Sequence, residues 1–252
     1  MTDMETIKTM GGTLTYSAGK HRYDWNGEKV DLSVSKVASC YPLDFGIASG
    51  WAAKTIRLAL IQALEEGKTE IDRLEPWAKE ICKAPHYVTK RAADVGTAVH
   101  RYVEGLAHGL EPDLSDDEDI AKCQKSLGEW FQQNIKEVID VERRLYSLRW
   151  KIAGTCDMVA RLHNGKVHVL DWKGVTDSNT SIKTSHIGQL TAYREMLTEA
   201  GDAIDGCTLV RFSRATGEVD AVTLKNHKEN VAAFEAALHL ARFKPDTEEF
   251  QR

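Results

Sequence analysis

The stretch that decides the fold is a strand with charged residues at its end. Residues 168–174 read HVLDWKG. The first of these residues are typical of a buried β-strand, and Asp171 and Lys173 then follow two positions apart. Since strand side chains alternate between the two faces of a sheet, these two ionised groups point the same way. An exposed ion pair gives the same pattern, so its interpretation depends on the neighbouring segments.

The segment before this strand predicts a β-hairpin whose loop contains residues 163–165. A two-residue loop would turn Asp157 and Asp171 to opposite faces. A three-residue loop, with Gly165 left-handed in a bulge, places Asp157 directly across from Asp171. We expect the second register because it gives coherent apolar contacts on both faces. Its pairs are Leu162 with Lys166, Val159 with Val169, and Met158 with Leu170.

Opposed carboxylates on neighbouring strands predict a metal centre. Their Cβ atoms would lie about 4.5–5.5 Å apart, and their repulsion is destabilising unless a proton or a cation intervenes. Oxygen ligands of this kind suit Mg²⁺ or Mn²⁺. Lys173 would lie one same-face step beyond Asp171, where it could orient a water or stabilise developing negative charge. The pattern therefore predicts a phosphate-cleaving centre.

The organisation of the chain favours an α/β (α+β) fold. Its 252 residues, 42% of them hydrophobic, suffice for one large globular domain or for one domain with an appended lobe. We expect an accessory part at 1–87, with an N-terminal β-hairpin and a helical lobe, and a core at 88–252. The predicted elements are a hairpin within 13–37 around Asn26-Gly27, helices at 45–66, 75–82, 89–108 and 116–138, strands at 139–148, 151–162 and 166–173, a helix at 185–200, strands at 207–214 and 218–225, and a helix at 227–243.

Charge and cysteine content narrow the class of protein. The net charge is −5, but six of the nine residues at 111–119 are acidic, so the rest of the chain carries +1. We interpret that run as the start of a helix capped by Ser115. The five cysteines contain no CxxC pair, which favours reduced thiols over a zinc site. No run of 18 apolar residues and no secretory signal pattern occurs, so we expect a cytoplasmic protein without membrane contact.

Two predicted helices carry polar pairs at a spacing of four residues. His100 and Glu104 share one helix face, and Gln189 and Tyr193 share another. Such a pair is usually only a solvated surface. The order of these residues around Asp157 and the Asp171-x-Lys173 pair is what favours a site.

In this order the residues resemble the PD-(D/E)XK nuclease superfamily, and specifically its RecB-like exonuclease branch. The motifs of that branch are GTxxH, GxxD, DxK and QxxxY. Here they read GTAVH at 96–100, GTCD at 154–157, DWK at 171–173 and QLTAY at 189–193. The resemblance covers roughly residues 88–215, and the hairpin and helical lobe before it are similar to nucleases encoded by bacteriophages.

The resemblance implies a restriction-endonuclease-like core, with a central mixed β-sheet flanked by helices, and a role for each motif residue. The metal would be Mg²⁺ or Mn²⁺, held by His100, Asp157, Asp171 and the backbone carbonyl of Trp172. Lys173 would be the catalytic lysine. Gln189 and Tyr193 would position the substrate or the surroundings of the metal. Two further carboxylates would belong to a second metal or to the outer shell: Glu104 and Glu142.

The same resemblance implies a DNA substrate and hydrolysis of phosphodiester bonds in recombination, repair or phage DNA processing, with a recombination protein as a possible partner. Relatives in CRISPR adaptation carry an iron–sulfur cluster on a C-terminal cysteine trio. This chain has only Cys207 in its last quarter, so we expect no such cluster. Basic residues near the motifs suggest a groove for DNA: Lys90, Arg91, Arg101, Arg143, Arg144, Arg149 and Lys151.

Two alternatives stay open beside a Mg²⁺-dependent exonuclease. The first is a nonenzymatic DNA-binding or structural descendant of the same fold. The intact DxK motif and His100 argue against it, because a retired site gains nothing from grouped charges. The second is a DNA endonuclease, for which the sequence offers no separate recognition module.

Overall fold

Two β-sheets organise the chain in the computed structural model, which describes residues 4–9, 11–41, 45–66, 79–176 and 182–243. The first sheet contains four strands and the second contains five, each in sequence order. The first is antiparallel, with strands β1 (Met4–Thr9), β2 (Gly12–Ser17), β3 (Arg22–Trp25) and β4 (Glu28–Lys29). The second has strands β5 (Ile135–Ser147), β6 (Ile152–Leu162), β7 (Val167–Val175), β8 (Gly206–Ser213) and β9 (Val219–Thr223).

The second sheet is mixed, because β7 and β8 run parallel while its other neighbouring strands are antiparallel. Helices cover both of its faces. The helices on these faces are α1 (Val34–Ala38), α3 (Ala84–Ala107), α4 (Glu118–Asn134), α5 (Thr184–Glu199) and α6 (His227–Arg242), while α2 (Phe45–Glu65) packs against α3. The predicted helix at 75–82 lies mostly outside the described residues, although 79–82 are helical.

The hydrophobic core forms two clusters, one on each face of the mixed sheet. Helices α1, α5 and α6 pack on one face, where Phe234 and Leu197 are fully buried. Helices α3 and α4 pack on the other, where Val99 and Leu127 are fully buried. The restriction-endonuclease-like arrangement predicted from the motifs, a mixed sheet between helices, is therefore confirmed. Both faces of the sheet are dry, so polar side chains near its centre must find partners or a ligand.

The hairpin between β6 and β7 has the predicted three-residue loop. Gly165 is left-handed, with φ +83°, and the Leu162 N–H donates to the Lys166 carbonyl at 2.9 Å. The observed ladder pairs Met158 with Leu170 and Val159 with Val169, as the bulge register requires. This local turn therefore fixes which residues of the two strands lie opposite each other.

Two predictions around helix α4 are wrong. The helix ends at Asn134 rather than near 138, because Ile135 already starts the long strand β5. Its cap is Asp117, whose side chain accepts from the Asp119 and Ile120 amides; Ser115 accepts only from the Asp117 amide. The cap carboxylate also pairs with Arg91 of α3 at 2.7 Å, which joins the two helices of one layer.

The N-terminal hairpin is larger than predicted. The Asn26-Gly27 turn does join two strands, and both residues are left-handed, as a two-residue turn requires. It joins β3 to β4 as the last part of a four-stranded sheet. Two further turns, after β1 and after β2, were missed. Both sides of this small sheet contain many exposed residues, so its strands give a weak apolar signal.

The N-terminal segment is attached to the core by direct contacts. The Ala153 N–H donates to the Leu32 carbonyl at 3.3 Å, and the Trp25 ring stacks on Tyr146 with centroids 4.1 Å apart. Val34 of α1 is fully buried in the core cluster. Helix α3 spans the predicted boundary between residues 87 and 88, and the division into two parts stays a prediction.

No helix in the described part of the chain is both long enough and apolar enough to cross a membrane.

Gly154, the third residue of β6, lies where α1 and α5 approach the sheet closely. A Cβ there would come within 2.7 Å of the Tyr193 ring and 2.8 Å of Val34. Gly154→Ala should therefore lower the free energy of unfolding by about 1–3 kcal/mol, the usual cost of overpacking. Chemical denaturation followed by circular dichroism measures this loss.

Gly96 provides the matched control, since a Cβ at this position in α3 would meet no atom within 4 Å. Gly96→Ala should leave stability unchanged or raise it by up to about 1 kcal/mol, because alanine has the higher helix propensity. Equal losses in both variants would contradict the close packing at Gly154.

Candidate active site

Strands β6 and β7 separate at Asp157, and this break in the sheet creates the site. Their backbone ladder ends at the pair Met158–Leu170. One residue further, the Asp157 carboxylate takes the place of a strand carbonyl and accepts the Trp172 N–H at 3.2 Å. Cys156 packs in one core cluster and Met158 in the other, so the regular alternation of β6 is interrupted at this residue.

Three carboxylates lie at corresponding positions of the neighbouring strands β5, β6 and β7. The β6–β7 register places Asp157 across from Asp171. On the other side, Val141 pairs with Met158 and Arg143 with Cys156, which leaves Glu142 opposite Asp157. Glu142 has φ +49°, a left-handed conformation that strains a residue with a Cβ. The left-handed backbone of Glu142 thus occurs at a residue whose carboxylate lies beside Asp157.

His100 approaches these acids from helix α3. Its Nε2 lies 3.0 Å from the Trp172 carbonyl oxygen, and its Nδ1 lies 3.7 Å from Asp157 Oδ2. A carbonyl oxygen can only accept, so Nε2 carries the proton in this contact. In the neutral ring the lone pair of Nδ1 then faces the acids. This arrangement is typical of a metal-binding histidine, whose second nitrogen donates to a backbone carbonyl.

His100, Glu142 and Asp157 could hold a divalent cation. One ligand atom from each lies within 4.8 Å of the other two. An imidazole nitrogen with two carboxylate oxygens suits Mn²⁺ well and Mg²⁺ acceptably. The side chain of Trp172 is buried against Trp130, with ring centroids 5.6 Å apart, which fixes the backbone that orients His100.

Asp171 lies behind this cluster and pairs with Lys173, as their spacing predicts. The Lys173 Nζ is 2.8 Å from the carboxylate, and only Oδ1 has hydrogen-bond geometry. Oδ2 is buried and accepts no hydrogen bond from the described residues. Burial raises the pKa of Asp171 to about 6, the Asp157 charge adds to the rise, and Lys173 opposes it. Apart from the ion pair with Lys173, Oδ2 has no hydrogen-bond donor among the described residues, so it could also face a cation.

Lys173 stays charged despite its burial. Burial alone would lower the pKa of Lys173, but the charges of Asp171 and Asp157 outweigh it and raise that pKa above its ordinary value. At neutral pH the side chain is therefore an ammonium group, which donates hydrogen bonds and attracts negative charge. It is a poor base under these conditions.

Glu142 titrates near neutral pH. Although the residue as a whole is exposed, protein atoms crowd its carboxyl group. This loss of solvent raises the pKa of Glu142 to about 7, and the Asp157 carboxylate adds to the rise. The exposed Glu104, four residues after His100 on α3, contributes in the same direction. A bound cation would relieve all of this repulsion.

Gln189 and Tyr193 form a polar pair on helix α5 beside the cluster. The Gln189 side-chain amide donates to the Tyr193 hydroxyl at 3.4 Å. Burial raises the pKa of Tyr193 well above its ordinary value, so its hydroxyl remains neutral. Both residues line the same cleft as His100 and Asp157. The structure thus brings the residues of all four motifs into one region.

Four of the seven basic residues predicted to line a DNA groove, Arg101, Arg143, Arg144 and Lys151, differ in their surroundings. Arg144 lines the cleft, pairs with Glu5 and lies over the Tyr16 ring at 4.8 Å. Arg143 is engaged by Asp202 at 2.7 Å. Arg101 is exposed on α3 but does not line the cleft. Lys151 lines a second groove, of about 900 Å³, whose basic residues are Lys29, Lys36, Arg149, Lys151 and Arg242.

The sequence of the core also matches a family model. The model of the PD-(D/E)XK nuclease superfamily covers residues 120–249, more than half of the chain. The chain belongs to the PD-(D/E)XK nuclease superfamily. Members of this superfamily are typically metal-dependent nucleases, so membership implies a nucleic-acid substrate and is consistent with the acidic cluster.

Comparison with solved structures adds little to this assignment. The crystal structure of a protein named SSO0001 is similar over 73% of this chain and 85% of its own, with 16% identity and a TM-score of 0.34. No curated protein matches the chain. The superfamily assignment therefore comes from the sequence model.

Glu142 is the residue whose position the sequence analysis understated. It was considered only for a second metal or the outer shell, yet it belongs to the tightest ligand cluster among the described residues. The turn between β5 and β6 could have revealed it. Pairing Ser147 with Ile152 across that turn puts Glu142 opposite Asp157. The N-terminal residues of the cleft, Tyr16, His21 and Tyr23, carried no signal in the sequence.

The raised pKa of Glu142 predicts a pH-dependent stability of the metal-free protein. The folded state holds a proton on Glu142 that the unfolded state releases near its ordinary pKa of 4.5. That stabilisation is present below pH 4.5 and is lost as the pH rises through about 7. In EDTA, the Tm of the wild type should therefore fall between pH 5 and pH 8, and Mn²⁺ at pH 8 should restore it.

Glu142→Gln should show a shallower fall in Tm over the same range, because it has no carboxyl group to ionise. Glu129→Gln, at an exposed position of α4, is the matched control and should follow the wild type. If Glu142→Gln loses as much Tm as the wild type between pH 5 and pH 8, Glu142 does not cause the pH dependence.

Proposed function

We propose that this chain is a Mg²⁺- or Mn²⁺-dependent deoxyribonuclease of the RecB-like branch, and that it acts as an exonuclease. The observation that carries this proposal is that Glu142, Asp157 and Asp171 lie at corresponding positions of three neighbouring strands, where the sheet is interrupted. His100 and Lys173 lie beside these three carboxylates. Its setting would be DNA recombination, repair or phage DNA processing in the cytoplasm, which is the host cytoplasm if the gene is phage-borne.

The ligands would come from four elements. Nδ1 of His100 and the carboxylates of Glu142 and Asp157 would bind the cation. Oδ2 of Asp171, which pairs with Lys173 and accepts no hydrogen bond from the described residues, would complete its surroundings. The Trp172 carbonyl, engaged by His100 Nε2, keeps a second lone pair that could also serve. When bound, the cation would neutralise charge on the scissile phosphate and lower the pKa of a nearby water.

Lys173 would act on the phosphate as a cation. Its ammonium group is held by Asp171 at 2.8 Å and so has a fixed position beside the acids. From there it can donate a hydrogen bond to the attacking water or to a non-bridging phosphate oxygen, where negative charge develops. Asp171 thereby orients Lys173 as well as contributing its own charge.

Gln189, Tyr193 and Glu104 would support this centre. The neutral hydroxyl of Tyr193 can donate to a phosphate oxygen while it accepts from Gln189. Glu104 lies on the His100 face of α3 and lines a small cavity with Asp157 and Glu142, where it could receive a second cation. These residues position substrate and ions and do not themselves transfer protons.

The basic groove would guide the DNA backbone. Five cations line it against two acids, Glu28 and Asp31, and Arg149 is shared with Glu195 and Glu235. Arg144 lines the cleft that contains His100 and Asp157. A groove of this charge holds phosphates without reading sequence. It favours a nuclease that follows a strand over one that recognises a site.

A substrate panel tests the activity. The wild type with Mg²⁺ or Mn²⁺ should degrade linear DNA and leave covalently closed circles intact, as an exonuclease must. Asp157→Asn and Lys173→Met should each reduce the rate by about a hundred- to a thousandfold, the usual loss for one essential electrostatic group. Gel analysis of end-labelled DNA measures these rates.

Asp113→Asn, an exposed acid in the segment before α4, is the control and should retain wild-type activity. Cleavage of closed circles would make the chain an endonuclease. Binding of DNA without any cleavage would favour the nonenzymatic alternative, and equal activity in Asp157→Asn would exclude the proposed centre.

The groove predicts a dependence of DNA affinity on salt. Replacing Lys29 and Lys151 together by glutamine should lower the slope of log Kd against log salt by about 1.4 for a single strand, since each phosphate contact contributes about 0.7. Anisotropy titrations from low to moderate salt give this slope. The double variant Lys125→Gln and Lys228→Gln is the control, because it changes the net charge by the same amount at exposed helix positions outside the groove. It should keep the wild-type slope.

A further inference from the structure

The cleft above the acids has a wall that the nuclease core does not provide. The cleft has a volume of about 480 Å³ and is lined on one side by His100, Glu142 and Asp157. The facing side is formed by the N-terminal sheet. Three rings of that sheet line the cleft: Tyr16, His21 and Tyr23.

This aromatic wall, defined by Tyr16, His21 and Tyr23, is an ordered cluster. Tyr16 and Tyr23 are cross-strand partners on β2 and β3, with ring centroids 4.7 Å apart. The Arg144 guanidinium lies over the Tyr16 ring at 4.8 Å, and the Tyr16 hydroxyl is 3.1 Å from His21 Nδ1. Three π-systems and one cation therefore face a single cleft.

The wall also has a fixed position relative to the acids. The Tyr23 hydroxyl and the Thr155 hydroxyl are 2.7 Å apart, and Thr155 lies two residues before Asp157 on β6. Arg144 lies two residues after Glu142 on β5 and pairs with Glu5 of β1. The sheet is thus joined to both strands that carry the acids, so a ligand on the wall is held at a set place beside the metal cluster.

We propose that the aromatic wall binds an unpaired nucleobase of the strand whose phosphate lies at the acids, an inference that rests on the proposed nuclease function. Aromatic rings stack with any base, because every base has a π-face, and a neighbouring arginine strengthens the contact. The substrate bound for cleavage is then single-stranded at this point, whether it comes from single-stranded DNA or from an opened duplex end.

The size of the cleft suits a nucleobase. About 480 Å³ lies in the range of pockets that enclose one small ligand. The Tyr23–Thr155 contact joins the wall to β6, so the rings lie close to the strand that carries Asp157. The charge of Arg144 is already shared with Glu5, so the wall offers flat rings more than free charge for another phosphate.

The cross-strand pair also stabilises the N-terminal sheet, and the experiment must separate this role from binding. His21 serves that purpose. It is exposed, lies in the turn between β2 and β3, and packs in neither core cluster. His21→Ala removes a ring and its contact with Tyr16 but no core packing, so its Tm should fall only slightly. If the variant is folded at the temperature of the titration, a loss of DNA binding cannot be ascribed to unfolding.

The test is an abasic scan of a single strand. The full chain is titrated, with Ca²⁺ as the cation, against labelled oligonucleotides in which one abasic nucleotide is moved along the strand. The wild type should lose affinity by about five- to a hundredfold at one position, the usual value of one stacked base. Tyr16→Leu and His21→Ala should each bind the intact strand more weakly than the wild type. When the base at the sensitive position is removed, these variants should lose little further affinity.

Two outcomes overturn the proposal. The first is an abasic scan of the wild type without any sensitive position. The second is a scan of Tyr16→Leu and His21→Ala that keeps the full sensitivity of the wild type. Tyr87→Leu, which changes an exposed tyrosine of α3 outside the cleft, is the matched control and should reproduce the wild-type scan.

Failure of this proposal and failure of the nuclease function give different results. The scan measures binding, so Asp157→Asn should lose cleavage and keep the sensitive position. A sensitive position in a protein that never cleaves DNA would overturn the nuclease function and support the wall. Cleavage of DNA by a protein whose abasic scan has no sensitive position would support the nuclease function and overturn the aromatic wall as a base-binding site.

Discussion

Electrostatic repulsion among Glu142, Asp157 and Asp171 is the constraint on which the rest of the site depends. Three carboxylates at one level of adjacent strands cannot all be ionised without compensation. The protein compensates in three ways: Asp171 pairs with Lys173, Asp157 accepts the Trp172 amide, and Glu142 has a raised pKa. Each of these is partial, and the remaining imbalance is one that a bound cation would offset.

The same constraint explains local irregularities of the sheet. An unbroken β6–β7 ladder would use the Trp172 amide for a backbone bond, and Asp157 would lose its donor. The strands separate instead, and the carboxylate takes that bond. Glu142 adopts a strained φ of +49° in a strand. Irregular backbone at a functional site is often the cost of directing a group to a place that regular geometry does not reach.

Much of this arrangement could be predicted because it depends on local rules. The turn at Gly165 fixes the β6–β7 register, and a four-motif pattern on two strands and two helices identifies most of the site. The position of Glu142 depends on the turn that pairs Ser147 with Ile152, and residues 148–151 contain no glycine, proline or asparagine that would indicate the geometry of this turn. The end of α4 was misplaced for a related reason: Ile135 and the residues after it suit either a helix or a strand until their partner β6 is known. The strands of the N-terminal sheet are largely exposed or only half-buried, so no apolar periodicity indicates its topology.

The hairpin loop at 163–165 has a consequence for how this sequence can change. Strand pairing has a period of two, so removing or adding one residue between Leu162 and Lys166 would move every following side chain of β7 to the opposite face. Asp171 and Lys173 would exchange places with hydrophobic neighbours, and the centre would be dismantled without alteration of any of its own residues. Insertions and deletions should therefore be rarer in this exposed loop than its accessibility suggests.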